Sequence, residues 1–228
     1  MGGLGLLNRR RAIQSAPVEN EDYWDYYVQD SLLLCIDGLR PGDTSQGWQE
    51  LITGNYFANN GAVYQDNGWV FDGKASYMDA DEKITNYGFY TRERTLEVVL
   101  EFSAKNITSP VLIGKTNGIS FGISGDNYVI GNSDFSYVRM SPTSELKCST
   151  AIVVNSLTIV RAMENGVSLN RLSSNGAWSA AKAIRLGASS TLSYYLQGKI
   201  YAIRIHNRLL TEEEILNNQQ IDKIRFGL

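Results

Sequence analysis

Asn-Gly occurs five times in the chain, at 60/61, 67/68, 117/118, 165/166 and 175/176. Both residues tolerate positive φ, so between apolar runs the pair marks a tight hairpin turn. The runs are there from Ser31 onward: "SLLLCIDGL", "GWVFDG", "TLEVVLEFSA", "PVLIGK", "ISFGIS", "YVIGN", "AIVVN", "SLTIVRAM", "VSLNRL" and "IYAIRIHN". They are strand-length, rich in Val and Ile, and spaced like an all-β sandwich. "SLTIVRAMENGVSLNRL" reads as a hairpin with Asn165 and Gly166 at its tip. Along "EVVLEF", period-two alternation puts Val98, Leu100 and Phe102 on one face and Glu97, Val99 and Glu101 on the other.

One helix is expected. Thr211 followed by Glu212, Glu213 and Glu214 is a capping box, with the threonine oxygen accepting from the Glu214 N–H and the Glu214 carboxylate reaching back to the Thr211 N–H. The three carboxylates also suit the positive end of the helix dipole. The expected helix is short and on the surface, from Thr211 to about Gln219, with "DKIRFGL" returning along the body. Residues 1–25 show no period and end in the aromatic cluster "DYWDYY" (22 to 27). They read as an anchoring arm ahead of a domain spanning 26–228.

At 228 residues and 43% hydrophobic content, the chain can bury a substantial core. Its net charge of −3 gives no positive field to hold bulk nucleic acid, and its one dense basic run is Arg9, Arg10 and Arg11. No run approaches the roughly 20 apolar residues of a membrane span. The N-terminus places its short apolar part before the arginines, the reverse of a signal peptide. Cys35 and Cys148 each lie beside apolar residues and are expected to be reduced and buried, in a chain folded under reducing conditions.

The closing run "GKIYAIRIHNRLLTEEEILNN" (198 to 218) resembles the laminin G-like, concanavalin A-like jelly-roll superfamily, where a similar strand runs into a short capped helix. "WVFDGKASYMD" (69 to 79), "LLLCIDGL" and "IRLGASS" (184 to 190) resemble further strands of that fold. The resemblance implies a jelly-roll β-sandwich over roughly residues 28 to 226. The opening "GLLNRRR" is similar to arms of tailed-bacteriophage virion proteins. That likeness implies a structural surface protein of a virion, assembled in the host cytoplasm, with Leu4, Leu6, Leu7, Arg9, Arg10 and Arg11 docking on another virion protein. The displayed domain would meet host or mucosal glycans. The alternatives are a secreted or cell-surface carbohydrate-binding module and, behind it, a glycoside hydrolase.

Glycan binding is argued from aromatic side chains, whose faces stack on sugar rings while nearby amides and carboxylates bond the hydroxyls. Trp48, Tyr56, Tyr128 and Trp178 are the candidates. Hydrolysis is not expected. Laminarinase-type enzymes of this fold carry Glu-x-Asp-x-Glu on a strand, and "EVVLE" (97 to 101) has Val99 in place of the aspartate, so Glu97 and Glu101 are read as solvated carboxylates on the outer sheet face. The single histidine, His206, is read as ending a strand, and no nucleophile motif accompanies either thiol. No cofactor is expected beyond calcium, for which "DADE" (79 to 82) and "SGDN" (124 to 127) supply candidate oxygens.

Overall fold

A computed structural model describes residues 23–81, 93–103, 109–114, 120–124, 127–131, 137–140, 146–155, 158–170 and 184–228. The first strands in chain order are β1 (Leu32–Asp37), β2 (Trp48–Gln49), β3 (Tyr56–Asn60), β4 (Val63–Gln65), β5 (Gly68–Asp72), β6 (Tyr77–Ala80), β7 (Arg94–Phe102) and β8 (Ser109–Gly114). There follow β9 (Ser120–Ser124), β10 (Asn127–Gly131), β11 (Tyr137–Met140), β12 (Lys147–Asn155), β13 (Thr158–Glu164), β14 (Val167–Ser168), β15 (Ile184–Leu186) and β16 (Gln197–His206). One helix, α1 (Glu212–Phe226), closes the described chain.

Two antiparallel sheets hold these strands. The first runs β14-β13-β12-β7-β16-β5-β4, with β1 also pairing to β16, and the second runs β11-β10-β9-β8-β15-β6-β3-β2. Between them lies the core expected of a sandwich, with Leu96, Val98, Leu100 and Phe102 of β7 and Ile200, Ile203 and Ile205 of β16 turned inward. The apolar spacing of β16 changes from three to two along "IYAIRI" because a bulge between Ile200 and Ala202 inserts a residue into the pairing with β7. Tyr201 and Ala202 both pack with Val99 on the outer face as a result, while Ile203 returns to the core.

Of the five Asn-Gly pairs, 117/118 and 175/176 lie outside the described residues, 60/61 joins β3 of one sheet to β4 of the other instead of turning a hairpin, and 165/166 turns the hairpin expected. Asn165 and Gly166 have φ 49 and 85, and Glu164 pairs with Val167 across them. The β4–β5 hairpin differs by one residue: its turn is Asp66-Asn67, with φ 45 and 61, while Gly68 already pairs with Gln65. Gly68 is needed in the strand for closeness, since a Cβ there would stand 2.8 Å from the Ile200 carbonyl oxygen. Both cysteines are free and buried, as expected.

The capping box is present, with Thr211 Oγ1 accepting from the Glu214 N–H at 3.2 Å and Glu214 Oε2 from the Thr211 N–H at 3.0 Å. The extent of the helix is a correction. α1 continues through "DKIRF" to a left-handed Gly227 cap at φ 66, so those residues finish the helix instead of returning along the body. It is also no surface helix: Ile215, Asn218, Gln219, Ile221, Asp222 and Phe226 are all buried. We predict that Thr211→Ala lowers stability by about 0.5–2 kcal/mol, read from the midpoint of chemical denaturation.

What α1 covers is the outer face of the first sheet. Arg204 of β16 donates from Nε to Glu97 Oε2 at 3.1 Å and from Nη2 to Asp222 Oδ2 at 2.7 Å. Asn218 Nδ2 donates to the Glu97 carboxylate, and Ser149 Oγ to Asp222 at 2.6 Å. His206 bridges the Ser31 hydroxyl at 3.0 Å and Glu97 at 3.1 Å. Glu97, expected in solvent, is 1% exposed. Its surroundings explain the sequence misreading: a helix docking on buried charges presents asparagine, glutamine and aspartate inward and shows no apolar stripe.

The aromatic run at 22–27 is likewise no loose end from Tyr23 onward. Tyr23 and Tyr27 pack against Ile221, and the Tyr27 hydroxyl donates to Asp222 Oδ1 at 2.6 Å. The Arg204 guanidinium lies 4.3 Å from the centre of the Tyr27 ring, so this segment straps the polar layer from one side. Leu4, Leu6, Leu7, Arg9, Arg10 and Arg11 lie outside the described residues.

Candidate functional site

A cleft of about 520 Å³ opens where α1 ends beside the β4–β5 turn. Its floor follows from strand register. Glu101 of β7 stands opposite Lys147 of β12 on one side and opposite Lys199 of β16 on the other, and Lys199 in turn stands opposite Val70 of β5. One row across four strands therefore reads Lys, Glu, Lys, Val on the outer face. Two residues along β16 from Lys199, period two brings Tyr201 to the same face, where its ring packs 5.5 Å from that of Phe226.

Tyr201 organises the charges. Both ammoniums sit against its ring, Lys147 at 4.7 Å and Lys199 at 4.8 Å from the centroid. Its hydroxyl donates to Glu101 Oε2 at 2.7 Å. Lys147 Nζ also donates to the terminal helix carbonyls of Phe226 and Gly227, and Lys199 Nζ to the Asp66 carbonyl at 3.0 Å. Burial pushes the Tyr201 hydroxyl well above the usual tyrosine range, and its hydrogen bond to Glu101 adds to the rise. It is thus a fixed donor at any physiological pH. Burial lowers the Lys199 ammonium from its ordinary value, with Lys147 contributing, against the opposing pull of Asp66 and Glu101.

Chemically the site offers an amide from Gln65 and from Asn67, the Ser103 hydroxyl, the Glu101 carboxylate and the two ammoniums. These are donors and acceptors at fixed spacing over an aromatic floor. Tyr201 itself is only 5% exposed, so the polar rim, not the ring face, meets whatever enters.

Among the described residues, none of the glycan-binding candidates read from sequence lines this cleft. Trp48 forms β2 in the core at 0% exposure, its Nε1 donating to the Asp37 carbonyl at 3.2 Å. Tyr128 is buried in β10, its ring between Phe102 and Phe121 and its hydroxyl 2.9 Å from Cys148 Sγ. Both follow a residue of turn type, Gly47 and Asn127, which gives them the look of loop residues in the sequence. Gly47, however, serves close approach, for a Cβ there would lie 2.0 Å from the Phe57 carbonyl oxygen. Buried in this way, neither ring is presented to a sugar. Tyr56 is half-buried and its hydroxyl accepts from the Asp43 N–H at 3.2 Å; Trp178 lies outside the described residues.

The carboxylate pair is separated by its surroundings, Glu97 beneath α1 and Glu101 in the cleft. Of the calcium candidates, Asp79 is held by Arg185 through two hydrogen bonds of 2.8 and 3.1 Å, and residues 82 and 125–126 lie outside the described residues. Among the described residues no group of three or more His, Cys, Asp or Glu is placed to hold a metal ion. No described helix is long and apolar enough to cross a membrane.

Lys199 and Tyr201 were not singled out from sequence, although their places two apart in "GKIY" put them on one face of a strand. Glu101 was visible, and Lys147 was not, because the pairing that brings Lys147 opposite Glu101 spans a long stretch of intervening chain.

No family model matches the chain, and no curated protein matches it by sequence. Solved structures do. Botulinum neurotoxin type C, reported to need interaction with two ganglioside molecules to enter cells, superposes with a TM-score of 0.61 at 12% identity, over 84% of this chain and 51% of that one. The binding domain of botulinum neurotoxin DC in complex with rat synaptotagmin II gives 0.61 at 12% identity, over 85% and 52%. The fold is a jelly-roll β-sandwich. Trypanosoma rangeli sialidase in complex with the inhibitor DANA gives 0.55 at 13% identity, over 82% of this chain and 32% of that one. The sandwich thus spans about half the length of the neurotoxin chains, and at these identities the likeness is one of fold.

Proposed function

We propose that the chain is a carbohydrate-binding domain that takes a saccharide in the cleft beside the end of α1. The observation that carries this reading is the cleft itself: two ammoniums, a carboxylate, two amides and a hydroxyl converge on it, the mixture of donors and acceptors that a ring of hydroxyls requires. The structural neighbours lend support, since neurotoxin type C interacts with gangliosides and the binding domain of neurotoxin DC has been solved in complex with SialylT. Binding without catalysis is part of the proposal. Glu97 is sealed under a helix, and the Tyr201 hydroxyl is held protonated, so neither acts as a nucleophile at this cleft.

A glycan array probed with the whole chain tests the reading. Gln65→Ala, at an exposed position, is expected to weaken the leading signal by about fivefold through loss of one amide hydrogen bond, with the fold retained by circular dichroism. An array without signal, or a signal indifferent to this substitution, sinks the proposal. Display on a virion through residues 1–22 is carried by the sequence resemblance alone and gains no support from these neighbours; detecting the chain in purified particles by mass spectrometry is its test.

A further inference from the structure

We infer that the cleft selects saccharides bearing an anionic group, a carboxylate or a sulfate, which Lys147 and Lys199 hold between them. The inference rests on the carbohydrate reading above and adds to it the charge of the ligand.

Three observations carry it. The first is convergence. Register places both lysines opposite one glutamate, and both ammoniums lie against one ring, at 4.7 and 4.8 Å from its centroid. Both lie against the same ring, so the two charges stand no more than about 9.5 Å apart before any ligand arrives. Holding like charges together costs free energy in water-poor surroundings, and an anion placed between them offsets that cost.

The second is incomplete compensation. The Glu101 carboxylate serves two lysines and is turned onto the Tyr201 hydroxyl at 2.7 Å; among the described residues it forms no direct ion pair with either ammonium. The nearest other acid, Asp66, is 3.9 Å from Lys199 Nζ, and its side chain is 78% exposed, where solvent screens its attraction. One carboxylate shared between two cations leaves positive charge for a ligand to meet.

The third is spare donors. An ammonium has three N–H groups. Lys199 spends one on the Asp66 carbonyl, and Lys147 spends its bonds on the carbonyls of Phe226 and Gly227. Each therefore retains a donor, and a carboxylate or sulfate has the two or more oxygens needed to accept from both. A neutral hydroxyl would bond one lysine and leave the repulsion in place. The amides of Gln65 and Asn67 on the opposite rim then remain for the uncharged part of the sugar.

The experiment titrates the full chain, by calorimetry or ligand-observed NMR, with two pairs that differ in the charged group: 3′-sialyllactose against its methyl ester, and lactose 3′-sulfate against lactose. We expect the charged member of at least one pair to bind more tightly by about tenfold, the value of one charge-assisted hydrogen bond. Lys199→Gln should erase the difference, and Lys199→Arg, which keeps the charge, should retain it. A preference that survives in Lys199→Gln overturns the assignment to this cleft. Equal affinities within both pairs overturn the charge reading and leave the carbohydrate reading standing. Binding of inorganic sulfate without any saccharide, or of no saccharide at all, overturns both.

Discussion

Arg204→Met is expected to lower the folding free energy by about 3 to 5 kcal/mol at neutral pH, the cost of leaving buried carboxylates without their cation. Arg204 is 1% exposed and bonds Glu97 and Asp222 together. Methionine matches the length of the stem and removes only the charge and its donors, so packing contributes little to the loss. A second readout separates electrostatics from packing. Burial alone would raise the Glu97 carboxyl; the charge of Arg204 and the hydrogen bond and charge of His206 more than offset it and hold the group down from 4.5 to about 2. A depressed carboxyl contributes stability that is complete above about 4.5 and is lost as pH falls toward about 2. In Arg204→Met that contribution shrinks, because Glu97 takes up its proton at higher pH. The gap between the two proteins should therefore be widest above pH 4.5 and narrow as pH falls, measured by urea denaturation across the range. A gap independent of pH would assign the loss to packing, and a gap near zero would show that the layer carries no net stability.

This polar layer marks where the sequence stopped being legible. Apolar alternation in β7 and the capping box at Thr211 obey local rules, and both stand in the structure as the sequence implied. Glu97 obeys no local rule. Its burial depends on Arg204 and Asn218, more than a hundred residues away, which arrive by strand pairing and by the docking of α1. The same chemistry hid the burial of the helix, since a face of Asn218, Gln219 and Asp222 reads as solvent-exposed until its partners are known. Aromatic residues failed in the opposite direction. Trp48 and Tyr128 sit beside residues of turn type and read as loop residues, yet they fill the core. Their neighbours turn the chain so that the ring can enter. The cleft was missed: Lys199 and Tyr201 stand two apart on a strand, but its charge balance requires Lys147 and Glu101 to be brought alongside by strand pairing.

Ending the chain after Leu210 is expected to abolish the fold, the largest effect we predict. A short surface helix could be removed at the cost of its own contacts, but α1 is the lid of a second core. Ile215 packs with Ala151, Val153 and Met163, and Phe226 with Val99, Tyr201 and Ala202. Asn218, Asp222 and Arg225 compensate Glu97, Arg204 and Asp37, the last through an Arg225 Nη1 bond of 2.6 Å with both side chains almost wholly buried. Removing the helix wets that apolar surface and strips the charges of their partners in one step. The sum exceeds the margin of about 5–15 kcal/mol that holds a domain of ordinary stability. Far-ultraviolet circular dichroism and a thermal scan of the shortened chain should show no cooperative transition, and the apolar dye ANS should bind. A peptide of residues 211–228 added during refolding should restore the transition, since it supplies the missing face with its capping box intact. A shortened chain that melts cooperatively within a few degrees of the full one would return α1 to the status of a surface helix, and the cleft at its end would then lack a fixed wall.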